Sequence, residues 1–364
     1  MLSVMRLLLV HPGPDFSVHD VYTGWAEGLS EIGVEVAQFN FNDRLIFYSK
    51  ALMMDYDENG DEVRDEQGLP IVRQALTQEG AFTLAMQGIS HALYTFWPDI
   101  VLFVSGFFTQ AGLLDIIRKR GHKVVMLNTE SPYQEDAQLT RGQFCDLVLL
   151  NDPLNLRLYE EMGIPALYAP HAYRPKVHYP VTRYTRTPPI DLTFIGTAFK
   201  SRIDFFERMD FTGLDVLIAG NDWGKLPPDS PAVPYIGTGL TDADCVHNAD
   251  AADLYRGTKM GINFYRRESE DEHKDDVGIA MGPREVEMAA IGLPFLRDPR
   301  EEGDRVLHML PTYASPEDAS EQLRWWLQHD DERTAIARQA RAAVADRTFV
   351  NNAKRLMQAL DEIK

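Results

Sequence analysis

The chain has 364 residues, 45% of them hydrophobic and 25% charged, with a formal net charge of −19 and an isoelectric point near 4.9. Such a length accommodates two domains, each with its own core, and the composition is that of a soluble globular protein. The acidic balance weighs against a wide phosphate-binding face on nucleic acid or membrane, though it leaves room for a local basic cleft. The two cysteines, Cys145 and Cys245, are isolated in sequence. They argue against a disulfide framework or zinc site and fit a reducing compartment. The apolar run Met5–Val10 is too short for a signal or membrane segment, so no membrane span and a cytoplasmic location are expected.

The elements then alternate. Leu7–Val10 reads as a strand ending in the loop His11–Ser17, at the carboxyl end of the sheet where such folds bind ligands, so its Gly13 is a candidate ligand contact. Helical periodicity through Val21, Trp25, Leu29 and Ile32 stops at Gly33, and Val34–Phe41 is the next strand. Residues 43–80 interrupt this rhythm. Asp55, Asp57, Asn59, Gly60 and Glu66 stand in calcium-loop register, but Glu62 occupies the apolar position and Gly68–Pro70 breaks any exiting helix. Asn59-Gly60 between short alternating segments predicts a solvated hairpin insertion instead. The pattern resumes with a helix near Ala81–Trp97, strand Ile100–Val104, helix Gln110–Arg120 and strand Lys123–Asn128. After the loop Thr129–Tyr133 come strand Asp146–Leu150, helix Leu154–Met162 and strand Ala166–Ala169. Residues 170–180 carry three prolines and no periodicity, which predicts a hinge.

A second alternating half starts at Asp191. It offers strands Leu192–Ile195, Leu214–Ala219, Val233–Gly237 and Lys259–Phe264, helices Ile203–Met209 and Ala251–Arg256, and an acidic loop Glu268–Asp276. Helix Pro316–His329 carries adjacent Trp325 and Trp326, which cannot both face one core. Helices Asp331–Ala345 and Phe349–Ile363 close the chain. The stretch Met281–Asp298 organises this half: a loop, a short helix, the Gly292 turn and a buried strand. Gly282 and Pro283 suit a helix start, whose N–H groups and positive dipole end fit a diphosphate. Arg284 and Glu287 share one helix face, and Glu287 can accept hydrogen bonds from a ribose. An ordinary surface ion pair is the alternative reading of that pair.

Two βα halves, a proline-rich hinge and a terminal helical pair outline an α/β fold of GT-B architecture: two Rossmann-like domains facing a cleft, with C-terminal helices packing back. The second half resembles the CgeB-like (spore maturation protein-like) branch of group 1 glycosyltransferases. The residues that carry the resemblance are Phe194–Arg202, Leu217–Trp223, Pro234–Gly237, Leu254–Asn263, Pro283–Pro294 and Glu332–Ala337. The similarity covers roughly residues 190–360, and the first half only by architecture. It implies an acceptor domain over 1–170 with the insertion at about 43–80, a hinge over 171–190, a nucleotide-sugar-binding domain over 191–345, and a terminal helix 346–364 crossing back.

The resemblance also implies a UDP- or GDP-type nucleotide-diphosphate sugar as donor substrate, with no further cofactor. Glu287 would hold the ribose, as the last glutamate of the family's paired-glutamate motif. The upstream partner position is Ile279, so the pattern departs there. Gly196, Lys200 and Arg202 match the loop facing the diphosphate, and Asn221 stands in the neighbouring matched segment. Tyr235 and Gly237 match the segment that reads the base, and Gly13 in the first-half loop is a further candidate nucleotide-sugar contact. Lys200, Arg202 and the helix start at Gly282 and Arg284 can neutralise charge on the leaving diphosphate, so no metal is required. A solvated helix start is the alternative for Lys200 and Arg202. His11 and Glu130 are the first-half residues able to take a proton from an acceptor hydroxyl, and His171 in the hinge can face the cleft. The acceptor is open among a polysaccharide, protein, small molecule or modified nucleobase. Retaining sugar transfer leads; the alternatives are a nucleotide-sugar epimerase on the same scaffold and a non-catalytic nucleotide-sugar-binding protein.

Overall fold

Strand β1 (Arg6–His11) is apolar at every position from Leu7 to Val10 and buried throughout that run, as expected of a strand covered on both faces. The computed structural model describes residues 4–14, 18–107, 109–132, 134–237, 246–268 and 278–363. Cys245, most of the acidic loop 268–276 and parts of the loops ending at Ser17, Thr109 and Tyr133 lie outside these residues. From β1 the chain runs through α1 (His19–Glu31), β2 (Glu35–Asn40), α2 (Phe41–Ser49), β3 (Leu52–Met54), β4 (Val72–Gln74) and α3 (Gln78–Phe96). It continues through β5 (Ile100–Val104), α4 (Ala111–Lys119), β6 (Lys123–Asn128), α5 (Glu135–Gly142), β7 (Leu147–Leu150), α6 (Leu156–Glu161) and β8 (Ala166–Tyr168). Six of these strands form one parallel sheet in the order β2-β1-β5-β6-β7-β8.

The second half contains β9 (Ile190–Ile195), α7 (Lys200–Phe206), β10 (Val216–Ala219), α8 (Asn248–Arg256), β11 (Thr258–Asn263), α9 (Pro283–Ile291) and β12 (Phe295–Arg297). Helices α10 (Glu301–Val306), α11 (Pro316–Leu327), α12 (Asp330–Ala343) and α13 (Phe349–Glu362) follow. Its four strands pair in parallel in the order β10-β9-β11-β12. In each sheet the order reverses beside the first strand, which places a ligand crevice at the carboxyl ends of the strands.

Helix α13 leaves the second half and packs on α1, its Phe349, Ala353, Leu356 and Leu360 joining the core of the first sheet. Close approach depends on α1: a Cβ on Gly24 would stand 2.3 Å from the Phe349 ring.

Several local expectations need correction. Residues 41–49 form α2, capped by the Asn40 side chain accepting the Asp43 N–H, so the insertion proper is the pair β3–β4. Val233–Gly237 is a 3-10 turn over Val233–Tyr235 with a single bridge at Ile236, not a strand. Helices α5 and α10 were not expected; both are short and charged, with little periodicity to read. Helix α7 begins at Lys200 rather than Ile203. Trp326 packs on the second-half core, while Trp325 stacks on His329 at the surface.

The insertion is a stem with two lobes. Asp55 N–H donates to Ile71 O, Ile71 N–H to Val63 O, and Val63 N–H to Asp55 O, closing a ring of hydrogen bonds where stem and lobes meet. In one lobe Asp57 accepts the N–H groups of Asn59 and Asp61; in the other Asp65 accepts those of Gln67 and Leu69. Asp57-Glu-Asn-Gly and Asp65-Glu-Gln-Gly are thus two copies of one turn, each with its glycine at positive φ. These carboxylates serve turn geometry.

Candidate functional site

The carboxyl ends of the two sheets enclose a cavity of about 270 Å³, joined by a smaller one of about 100 Å³. Both are lined by Asp20, Ile195, Gly196, Thr197, Asn248 and Arg284, so they are two parts of one cleft.

On the second-half wall, α9 starts with Gly282 as N-cap and Pro283 in its first turn, and ends at left-handed Gly292. Glu285, fully buried, accepts the Gly282 N–H at 2.8 Å and the Tyr265 hydroxyl. Burial pushes its carboxyl up to about 7, against the lowering effect of those bonds and of Arg297 and Arg300. One turn on, buried Glu287 accepts Arg284 Nη1 at 2.7 Å and Asn248 Nδ2 at 2.9 Å. His178 Nε2 stands 4.0 Å from the same carboxylate. Burial is the largest influence on Glu287 and raises its pKa, but Arg284, then His178 and the Asn248 bond, outweigh it and hold the group below the usual glutamate value. The expected Arg284–Glu287 pair therefore exists, but inside the cleft and in a network, not on the surface.

The loop after β9 faces α9. A Cβ on Gly220 would lie 2.4 Å from Gly196 O, and Trp223 Nε1 donates to that same carbonyl at 2.7 Å. Only glycine at 220 lets the two strand-end loops touch. Arg202 donates to Thr197 O at 3.0 Å and Phe264 O at 3.1 Å and lies over the rings of Phe194 and Phe199. It lines the larger cavity and ties the Gly196–Thr197 loop to the end of β11. Asn221 lines the smaller cavity.

Other expected residues fall elsewhere. The Lys200 side chain is 81% exposed and pairs with Asp204 one turn along α7, lining neither cavity. The next residue, Ser201, donates its N–H at 2.8 Å and its hydroxyl at 3.0 Å to Glu268. Tyr235 packs edge-on against Phe211, and Gly237 N–H donates to Ile218 O at 2.9 Å. Both stand beside β10 rather than in the cavities. Buried His11 stacks on Tyr22 at 3.8 Å and its Nδ1 accepts the Gly13 N–H at 3.2 Å. Burial, with His19, lowers its pKa to about 4, so it is a neutral brace inside the β1–α1 turn and does not line the cavities. Glu130 is half-buried, 3.6 Å from Arg266, while its neighbour Thr129 is the residue on the cavity wall.

The first-half wall instead presents Asp20, Thr129, Asn151 and His171, with Trp25 and Leu127. His171 Nε2 lies 3.2 Å from Asn151 Nδ2, and burial lowers its pKa to about 4. Asp20 sits in the first turn of α1, 3.9 Å from Arg174, and its Oδ1 has no hydrogen-bond partner among the described residues. Burial, then Glu287 across the cleft, push its pKa up to about 6. Sequence reasoning missed Asp20, His178, Asn248 and Trp223. The available signal for Asp20 was its place in the first turn after the first strand-end loop.

Residues 202–361 match the family model described as glycosyl transferase-like. Among solved structures, sucrose-phosphate synthase from Thermosynechococcus elongatus is 10% identical, with 99% of each chain covered and a TM-score of 0.63. A structure described as trehalose-6-phosphate from E. coli bound with UDP-2-fluoro glucose is 10% identical, again with 99% of both chains covered, at a TM-score of 0.60. A putative UDP-N-acetylglucosamine 2-epimerase from Listeria monocytogenes is 12% identical, covering 99% of this chain and 96% of that one, at a TM-score of 0.58. No curated protein sequence matches the chain. The fold is GT-B, and residues 202–361 of it carry a glycosyl transferase-like domain. No helix among the described residues is long and apolar enough to cross a membrane.

Proposed function

We propose that the protein moves a sugar from a UDP- or GDP-type donor to a hydroxyl acceptor in this cleft, with retention of configuration and without a metal. The observation that carries the reading is the convergence of the α9 start, the buried Arg284–Glu287 pair, the Gly196–Thr197 loop and Arg202 on one cavity. In this reading the diphosphate rests at the N-terminus of α9, where free N–H groups and the helix dipole favour an anion. Glu287, already ionised and oriented, takes the ribose hydroxyls, and the Tyr235–Gly237 segment reads the base only by moving from beside β10 to the cleft. Arg202 and Arg284 stabilise charge on the leaving group as the glycosidic bond breaks. Lys200 reaches the phosphates only by leaving Asp204. The acceptor sits against Asp20, Thr129, Asn151 and His171. The CgeB-like branch and a cytoplasmic location belong to the same proposal. Its acceptor class stays open among a polysaccharide, protein, small molecule or modified nucleobase.

A second reading has one observation in its favour: Asp20, His171, His178 and Glu287 line a single cavity, the carboxylate and histidine set a nucleotide-sugar epimerase would use. One experiment separates the two. The protein is incubated with a panel of nucleotide sugars, with and without hydroxyl acceptors, in excess chelator. Free nucleoside diphosphate that rises with acceptor supports transfer. An isomerised nucleotide sugar without diphosphate release supports the epimerase. Turnover that appears only when magnesium or manganese is added back contradicts the metal-independent part.

A further inference from the structure

Exposed large hydrophobic side chains concentrate in two places. Nine lie between Ile46 and Val72, on α2 and the insertion, including Phe47 at 70%, Leu52 at 62% and Leu69 at 62% exposed. Three more, Tyr179, Val181 and Tyr184, lie on the hinge segment. A two-stranded ribbon is marginal in water by itself, and contiguous exposed apolar surface on such a ribbon marks a contact site.

The two places carry opposite charge. The insertion holds seven acids between Asp55 and Glu66. Only Asp55 and Glu62 are ion-paired among the described residues, with Arg73 and Arg64. The hinge segment instead walls a groove of about 930 Å³ between itself and α12, with Val181 and Tyr184 exposed in it and Ile291, Leu293 and Pro294 buried beneath. This groove lies at the amino ends of β11 and β12, opposite the cleft. Seven of its lining residues are Arg or Lys, and its single acid is Asp330. Arg186, Arg256, Lys259 and Arg333 are ion-paired. Arg183, Arg338 and Arg341 are exposed and have no ion pair among the described residues. In a chain of net charge −19, a groove with this excess of cations is the local exception.

We propose that the insertion of one copy of this chain docks in the arginine-rimmed groove of a second copy. Its apolar side chains meet exposed Val181 and Tyr184, and its lobe carboxylates meet Arg183, Arg338 and Arg341. Among the described residues, no hydrogen bond or ion pair joins the insertion to the groove within one chain. The occupant is a second copy because this same molecule presents both the acidic apolar ribbon and its complement, while the overall negative charge disfavours any other approach between copies. A nucleic-acid strand would use the arginines but leave the apolar ribbon uncovered. The contact is heterologous in residues, so it is made twice in a two-fold dimer or once per subunit in a ring.

The test is sedimentation velocity over a concentration series of the full chain and three variants. One is the groove variant Arg183→Glu/Arg338→Glu/Arg341→Glu, one the lobe variant Glu58→Lys/Asp61→Lys/Glu66→Lys, and the third replaces residues 52–74 by a short glycine linker. The wild type is expected to associate, each variant to associate about tenfold or more weakly, and an equal mixture of groove and lobe variants to recover association. Circular dichroism and nucleotide binding serve as fold controls, since no substituted residue belongs to the cleft. A wild type monomeric at all concentrations overturns the proposal, as does association unchanged in the linker variant. A monomer that binds a single-stranded oligonucleotide through the three arginines overturns it in favour of nucleic acid.

Discussion

The two walls of the cleft are built differently. The second-half wall is charged and internally paired: Glu287 is held by Arg284 and Asn248, Glu285 by Gly282 and Tyr265, and Arg202 by two carbonyls. The first-half wall is mostly neutral or apolar, with His171 neutral and Asp20 the one acid lining the cavity from that side among the described residues. A wall whose dipoles are oriented before ligand arrives suits a fixed anion such as a diphosphate, because little reorganisation remains to be done as charge develops. A wall of strand-end loops with few fixed charges suits a variable acceptor. On the proposed function, preorganisation belongs to the donor side and selectivity to the acceptor side.

Three substitutions probe that contrast, in falling order of expected effect. Phe349→Ala removes the ring that lines the first-half wall and joins α13 to α1. A buried aromatic truncation costs about 3–5 kcal/mol, and urea unfolding is expected to show a loss in that range. A loss under ~1 kcal/mol would mean α13 is not part of that core. Arg202→Ala is expected to lower turnover by on the order of 10²-fold and the rate at saturation more than donor affinity, since its contact strengthens as charge accumulates. Lost affinity with the saturated rate retained would make it a ground-state anchor.

Asp20→Asn has a defined sign. The wild-type carboxyl has a folded-state pKa of about 6 against 3.8 for an unperturbed group. The folded state therefore favours its protonated form, and stability is lost as pH rises between these values and then stays lower. The variant is expected to match wild type near about pH 4 and to exceed it by roughly 1–2 kcal/mol near about pH 8, read from paired urea titrations. A variant less stable than wild type at the higher pH would reverse the account of Asp20 as a carboxylate strained by burial and by Glu287.

Legibility in the sequence follows the same divide. Strands Ile100–Val104 and Lys123–Asn128 were readable to the residue, because buried parallel strands are continuous apolar runs. The α9 segment was readable because Gly282, Pro283 and Gly292 punctuate it. Helices α5 and α10 lack such a pattern. Within the site, Arg284 and Glu287 were legible from their spacing on one helix, and Gly196 and Arg202 only through the resemblance; all four line the cavity. Asp20, His178 and Asn248 were not, since each comes from a different element and only tertiary packing joins them to Glu287. Lys200 and His11 erred for one reason: residue type at a strand-end loop does not say which way the side chain turns. One lies against Asp204 in solvent, and the other is buried beneath Tyr22.

The central claim is that Glu287 on the preorganised wall receives the ribose of a nucleoside diphosphate. Calorimetric titration of UDP and GDP into wild type and Glu287→Gln, with matching circular dichroism spectra, tests it directly. The account predicts that one of the two nucleotides binds wild type and that the variant loses roughly 1–3 kcal/mol of that affinity, the worth of a charge-assisted hydrogen bond. Unchanged affinity in the folded variant would contradict it.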